Sequence, residues 1–316
     1  MNNIYDILQA RLGEDKLRKR LMRQVNHSND IIAYRHINIE NFSVVFQLSR
    51  YFLKILNLFD KGFNNTLNLH IEHNNIKLAN LPKSFNGYKI LHLSDLHIDG
   101  NPLLMHRISK QLQNIDYDLC IITGDFRYRT SGNLQPVIDS MQELVPYLNK
   151  GKDGILAVLG NHDFVEMVPL LEELGINFLI NEHKIIYQDS EPLCFIGLDD
   201  EHFYRNADIE SALPSEAENV CKILLIHSPE YIAKALRKNI DLYLCGHTHG
   251  GQICLPSGKP LLINSRSFKN FYRSHWKIKN MQGYTSRGCG CSGINIRFNC
   301  PPEITVHHLI SNNSID

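Results

Sequence analysis

The chain has 316 residues, which suits one large core domain with an appendage and can bury a core without disulfide staples. Its 33 Lys plus Arg balance 33 Asp plus Glu, which removes the global positive field of an obligate nucleic-acid partner. With 43% hydrophobic and 21% charged residues it is neither disordered nor a multi-span membrane chain, and its 16 His and 8 Cys need explanation.

Residues 1–80 read as an N-terminal extension, richer in Asn and basic early on, and residues 81–316 as the main domain. The first residues lack the basic and apolar regions of a secretory signal, and no apolar run reaches the ~18 residues that span a bilayer. A cytoplasmic protein is expected, with the inner face of the membrane as its other station. From Val44 to Phe59, Gln47, Arg50, Lys54, Asn57 and then Lys61 recur at helical steps, with Phe46, Leu48, Tyr51, Phe52, Ile55 and Leu56 among the apolar residues between them. This amphipathic helix has two readings: packing on the main domain, or peripheral membrane contact through residues 44–59, aided by the basic run Lys16, Arg18, Lys19, Arg20 and Arg23.

From residue 88, short apolar runs alternate with helical stretches. Ile90–Leu93, Leu119–Ile122, Ile155–Leu159, Ile223–Ile226 and Leu242–Cys245 have the length of buried strands, and apolar residues on both faces imply a helix-covered sheet. Pro102, Pro136 and Pro229 announce helices at 104–115, 138–148 and 231–236, the second truncated or bent by Pro146. Several cysteines interrupt apolar runs and read as small buried hydrophobes. No Cys-x-x-Cys pair is present, and Cys289-Gly290-Cys291 has no partner spacing for a zinc site.

Each of the five strands is followed at once by polar side chains: Ser94-Asp95-Leu96-His97, Gly124-Asp125, Gly160-Asn161-His162-Asp163, His227-Ser228, and Gly246-His247-Thr248-His249-Gly250. The carboxyl ends of strands in open α/β sheets face one crevice, so these loops are expected to converge. The crevice would then hold Asp95, Asp125, Asn161, His97, His227, His247 and His249, a mixed oxygen and nitrogen set too large for one tetrahedral ion and suited to two divalent transition ions.

These five blocks, in this order, resemble the calcineurin-like metallophosphoesterase superfamily, from about Leu81 to Leu309. Leu93-Ser94-Asp95-Leu96-His97 and Gly246-His247-Thr248-His249-Gly250-Gly251-Gln252 are similar to a bacterial branch with membrane-proximal phosphodiesterases and UDP-diacylglucosamine pyrophosphatases. The resemblance implies a four-layer α/β sandwich of two sheets flanked by helices. It also implies two divalent metals, Mn favoured over Fe, Zn or Co. The first would take Asp95, His97, Asp125 and His249, and the second Asp125, Asn161, His227 and His247. A hydroxide bridging the metals would attack phosphorus in line, in a phosphodiester or pyrophosphate substrate that is lipid-linked or a nucleotide sugar. His162 would act as general acid or charge partner, oriented by Asp163. Phe126-Arg127 departs from the tyrosine and small or acidic residue of many relatives, which bears on specificity.

Arg127, Arg129 and Arg287 are candidates for binding a non-reacting phosphate. The alternatives are a soluble phosphodiester or monoester as substrate, and a non-catalytic scaffold on the same fold, whose mark would be lost ligands. A metallo-β-lactamase-type site would need His-x-His-x-Asp-His, whereas Gly250-Gly251 follows His247-Thr248-His249.

Overall fold

The structure is a computed structural model that describes residues 3–27, 32–33, 36–37, 43–215, 220–265 and 270–312. Helices α1 (Ile4–Leu12) and α2 (Glu14–Asn26) come first, then a small ribbon of β1 (Ile32–Ala33) and β2 (His36–Ile37). Helices α3 (Ser43–Ile55) and α4 (Phe59–Thr66) lead into β3 (His70–Leu78).

The apolar runs become two six-stranded sheets. The first contains β3, β4 (Lys89–Leu93), β5 (Leu119–Thr123), β6 (Ile155–Val158), β7 (Ile176–Phe178) and the last strand. The second contains β8 (Glu182–Gln188), β9 (Glu191–Gly197), β10 (Cys221–Leu225), β11 (Leu242–Cys245), β12 (Ser274–Ile278) and β13 (Met281–Thr285). The last strand, β14 (Glu303–Ser311), lies between β3 and β4, parallel to the former and antiparallel to the latter. β4 to β7 run parallel, as do β9, β10, β11 and β13.

Parallel neighbours need crossovers, which α5 (Leu104–Leu112), α6 (Gln135–Leu148) and α7 (Met167–Glu172) supply to the first sheet. The outer face of that sheet, with Leu91, Cys120 and Ile122, packs on Ile108, Leu112, Val137 and Met141. Between the sheets, Ile90, Ile121 and Val158 meet Phe195, Ile223 and Leu244. On the far side, α8 (Ile209–Ala212) and α9 (Ile232–Ala235) cover Ile196, Leu224 and Tyr243. The result is the four-layer sandwich, helices outside and two sheets within. All eight cysteines are buried and free.

Several helix boundaries differ from the sequence pattern; α5 stops at Leu112 instead of 115, and α6 begins at Gln135 instead of 138. The amphipathic helix ends at Ile55, because Asn57 takes a left-handed φ of 54° and the Leu58 amide returns to the Leu53 carbonyl at 2.9 Å. Pro146 does not truncate α6, which continues to Leu148. It sits in the last turn, and Gln142, whose carbonyl it leaves without an amide partner, is exposed.

The stretch before residue 81 is tied into the sandwich. β3 pairs with β14 over nine residues, while Leu8, Leu12 and Leu17 join the core of the first sheet. Several early basic residues reach partners on the sandwich: Lys16 pairs with Asp208 at 2.6 Å and Arg11 with Glu172 at 2.7 Å, and Lys19 donates to the Arg205 carbonyl at 2.8 Å, while Arg18 stays exposed on Asp15 of its own helix. Among the described residues, no helix is long and apolar enough to cross a membrane.

Candidate metal centre

The five polar loops leave strands of both sheets. Those after β4, β5 and β6 come from the first, those after β10 and β11 from the second, and their tips meet in one cleft. Among the described residues, four groups of ligand-type side chains form there: Asp95 with His97 and His249, His97 with Asp125 and His162, Asp125 with His227 and His247, and, sharing that last histidine, His202 with Glu230 and His247. Asp125 Oδ2 is the hinge between them, 3.6 Å from His97 Nε2 and 3.3 Å from His227 Nε2. Around it, His249 Nε2 lies 3.4 Å from Asp95 Oδ1, and His227 Nε2 lies 3.1 Å from Asn161 Oδ1 and 3.2 Å from His247 Nδ1.

The outer hydrogen bonds fix which ring atoms face inward. His97 Nδ1 donates to the Arg127 carbonyl at 2.5 Å, and His227 Nδ1 donates to the Thr123 carbonyl at 2.8 Å. In the neutral rings both Nε2 lone pairs are then aimed at a carboxylate oxygen, an arrangement that repels unless a cation or a proton lies between. The titration tendencies say the same. Burial opposes charge on the His227 ring, yet Asp125 beside it pushes it up to about 10. Burial raises the Asp125 carboxyl, yet His227 and His162 hold it well below the ordinary range. A buried set of carboxylates, amide oxygen and imidazoles wanting positive charge fits divalent transition ions, and its donor chemistry suits Mn, Fe, Co or Zn.

The backbone is strained where these ligands sit. Asp95, His97, Asp125, His247 and His249 all have positive φ, between 40° and 71°, a conformation non-glycine residues seldom hold. Gly124 makes the close approach possible, since a Cβ there would stand 2.5 Å from the Gly160 nitrogen. Asp163 braces the same loops, accepting the amides of Asp125 (2.8 Å), Phe126 (2.9 Å), Arg127 (3.2 Å) and Gly160 (2.8 Å). It therefore holds backbone and not the His162 ring. That ring donates from Nδ1 to the Tyr128 carbonyl at 2.8 Å, leaving Nε2 4.0 Å from Asp125 Oδ2, and burial lowers its pKa to about 3.

The three arginines part company. Arg127 is buried, its guanidinium 3.8 Å over the Phe164 ring and bonded to the Ser131 carbonyl at 3.0 Å. Arg287 is held by Glu72 and Glu303, each at 2.5 Å. Neither is presented to the cleft as a free phosphate contact. Arg129 is exposed and lines the cavity beside His162.

Sequence reading missed two residues of α2 and its end. Arg20, fully buried, pairs with Asp199 at 2.5 Å and donates to the Asp163 carbonyl at 3.0 Å. His27 stacks on Phe203 at 3.7 Å and reaches to 6.3 Å from the His162 ring. Nothing in their spacing marks them, because they meet the cleft only through packing of α2.

Comparison with known proteins agrees with this geometry. Residues 88–251 match the calcineurin-like phosphoesterase family. The uncharacterized metallophosphoesterase YkoQ of Bacillus subtilis is 32% identical over 70% of this chain and 83% of its own length. The chain belongs to this family. A second B. subtilis metallophosphoesterase, YkuE, is 30% identical over 75% of this chain and 84% of its own length. The phosphodiesterase YaeI of Escherichia coli is 28% identical over 71% and 82% respectively. As a calcineurin-like phosphoesterase the protein is a metal-dependent hydrolase acting on phosphoester bonds, and the Asp and His clusters are the groups that could hold its metal.

Proposed function

We propose that the protein is a dinuclear phosphodiesterase or pyrophosphatase that works on a lipid-linked or nucleotide-sugar substrate at a membrane surface. One metal is held by Asp95, His97, Asp125 and His249, and the other by Asp125, Asn161, His227 and His247. Two divalent cations in such a site supply Lewis-acid stabilisation of phosphoryl oxygens and an activated water. The observation that carries the dinuclear reading is Asp125 Oδ2, which lies within 3.6 Å of an imidazole nitrogen from each half of the cleft.

The chain's own residues do the rest. Asp163 keeps four amides of the ligand loops in place, and the Tyr128 carbonyl keeps His162 Nε2 facing Asp125. Burial keeps His162 neutral near pH 7 and its one ring proton is given to the Tyr128 carbonyl, so Nε2 acts as a hydrogen-bond acceptor, toward the incoming water or a substrate hydroxyl, and not as a standing charge. Arg129 binds a phosphate or sugar acid that does not react.

Helix α3 supports the membrane part. Its polar Gln47, Arg50 and Lys54 line the cavity beside His162, while Leu48, Tyr51, Phe52, Ile55 and Leu56 are exposed on the outside. A row of exposed apolar side chains beside the cleft, with basic residues next to it, matches a helix lying in an interface.

The test is hydrolysis of bis(p-nitrophenyl) phosphate, p-nitrophenyl phosphate and a UDP-linked acylated sugar by Mn²⁺-loaded protein, with metal content measured in the same samples. Two ions per chain with the lipid-linked pyrophosphate turned over best is the expected result. Preference for the small diester would move the reading to a soluble substrate, and two ions without turnover of any of the three would favour a scaffold.

A further inference from the structure

The cavity beside the metal centre is larger than the centre itself and has its own charge. It encloses about 910 Å³ and shares His162, Phe46 and Ile294 with the smaller cleft of about 170 Å³ over the ligands. One wall is α3, with Arg50 and Lys54, and another is the loop after Asp125, with Tyr128 and Arg129. Three cations therefore face a lining whose single carboxylate is Asp60. Among the described residues none of the three forms an ion pair, and Arg50 and Lys54 lie instead 5.0 Å and 5.7 Å from the centre of the Phe59 ring. Uncompensated cations in a concave site with aromatic walls focus a positive field, and guanidinium groups match phosphate and carboxylate geometry.

The placement is anchored on both sides. Phe46 of α3 rests on Gly293, where a Cβ would collide with its ring. Tyr128, next to Arg129, donates its hydroxyl to the Gly293 carbonyl at 2.6 Å, its amide to Asp99 at 2.6 Å, and accepts His162 Nδ1 at its carbonyl. The backbone that orients His162 is thus the backbone that presents Arg129.

We propose that Arg50, Lys54 and Arg129 form a subsite for a second anionic group, phosphate or carboxylate, on the part of the substrate that extends past His162. This rests on the phosphoesterase reading of the cleft and adds a specificity element to it. A substrate with one phosphoryl group in the cleft and a second anion one group away would span both cavities.

The test uses a matched pair, thymidine 5′-(p-nitrophenyl phosphate) with and without a 3′-phosphate, on Mn²⁺-loaded protein. The wild type is expected to prefer the 3′-phosphorylated ester by about tenfold in kcat/KM, through KM. Arg50→Ala with Lys54→Ala, and separately Arg129→Ala, are expected to reduce that ratio to about twofold or less. The ratio within each variant is the readout, so a general loss of active protein cancels. A wild type without preference, or variants that keep it, overturns the subsite. So does loss of sedimentation with phosphatidylglycerol vesicles in variants whose ratio is unchanged, since the cations would then serve lipid headgroups. If the wild type cleaves neither ester, these diesters are outside its substrate range and calorimetry decides the subsite. Binding of thymidine 3′,5′-bisphosphate about tenfold tighter than thymidine 5′-phosphate, levelled in the variants, sustains it, and equal binding by the wild type overturns it.

Discussion

His162 Nε2 lies 4.0 Å from Asp125 Oδ2, yet the geometry gives the two residues different work. Asp125 Oδ2 faces an imidazole from each half of the cleft, whereas His162 is held from behind by a carbonyl and contributes one nitrogen to the opening. Asp125→Asn is therefore expected to lose metal content and activity together. His162→Ala should keep both ions and lose about 10²- to 10⁴-fold in turnover, the usual size of a proton-handling contribution. Elemental analysis alongside bis(p-nitrophenyl) phosphate kinetics checks both, and equal metal loss in the two variants would refute the division of roles. The ligand-type residues were legible because polar groups placed just after apolar strands have few other places to go. For Arg127 and Arg287 a place in a polar or glycine-rich loop does not say where a long side chain turns, and here Phe164 captures one guanidinium while Glu72 and Glu303 capture the other.

Helices α2 and α3 show how much of an element's purpose depends on the direction it faces. Periodicity announced α3 but not which side meets protein, and the structure turns its polar face toward the cavity and leaves Phe52 61% and Leu56 48% exposed. Because these two side chains carry little packing, Phe52→Asp with Leu56→Asp should abolish sedimentation with liposomes while leaving the melting temperature within a degree or two. A large fall in melting temperature would mean that the apolar face packs on protein. Helix α2 is the opposite case. Its charges read as a basic run aiding membrane contact, but Arg20 is fully buried on Asp199, and no local signal separates a buried arginine from an exposed one. Arg20→Ala would strand a buried carboxylate, at a cost of about 3–5 kcal/mol in denaturant unfolding. Adding Asp199→Ala should restore part of it. If the single variant unfolds like the wild type, the ion pair is not holding α2 to the catalytic loops.

At the scale of the whole molecule, the cleft exists because two sheets end at the same place. The five strands were readable one by one, since continuous apolar runs mark burial on both faces. Their division between sheets was not, because that depends on the pairing of β9, β13 and β14, whose own sequences alternate weakly. The same long-range pairing governs the N-terminal region. A boundary near residue 80 follows composition, but β3 contributes nine paired residues to β14, and Leu8, Leu12 and Leu17 lie in the core of the first sheet. Removing residues 1–80 would unpair one side of β14, uncover that apolar surface and leave Asp199 without Arg20. An unpaired strand next to exposed apolar residues is a template for aggregation. A chain starting at residue 81 is therefore expected to be insoluble or to melt far below the full-length protein. One starting at residue 28, which keeps β3, should be soluble but destabilised, with metal affinity lowered because the Gly160–Asp163 loop loses its contact with Arg20. Sedimentation velocity and thermal melts of the two truncations, with and without Mn²⁺, check this. A monomeric, metal-loaded and fully active chain starting at 81 would show that the first 80 residues are an appendage after all.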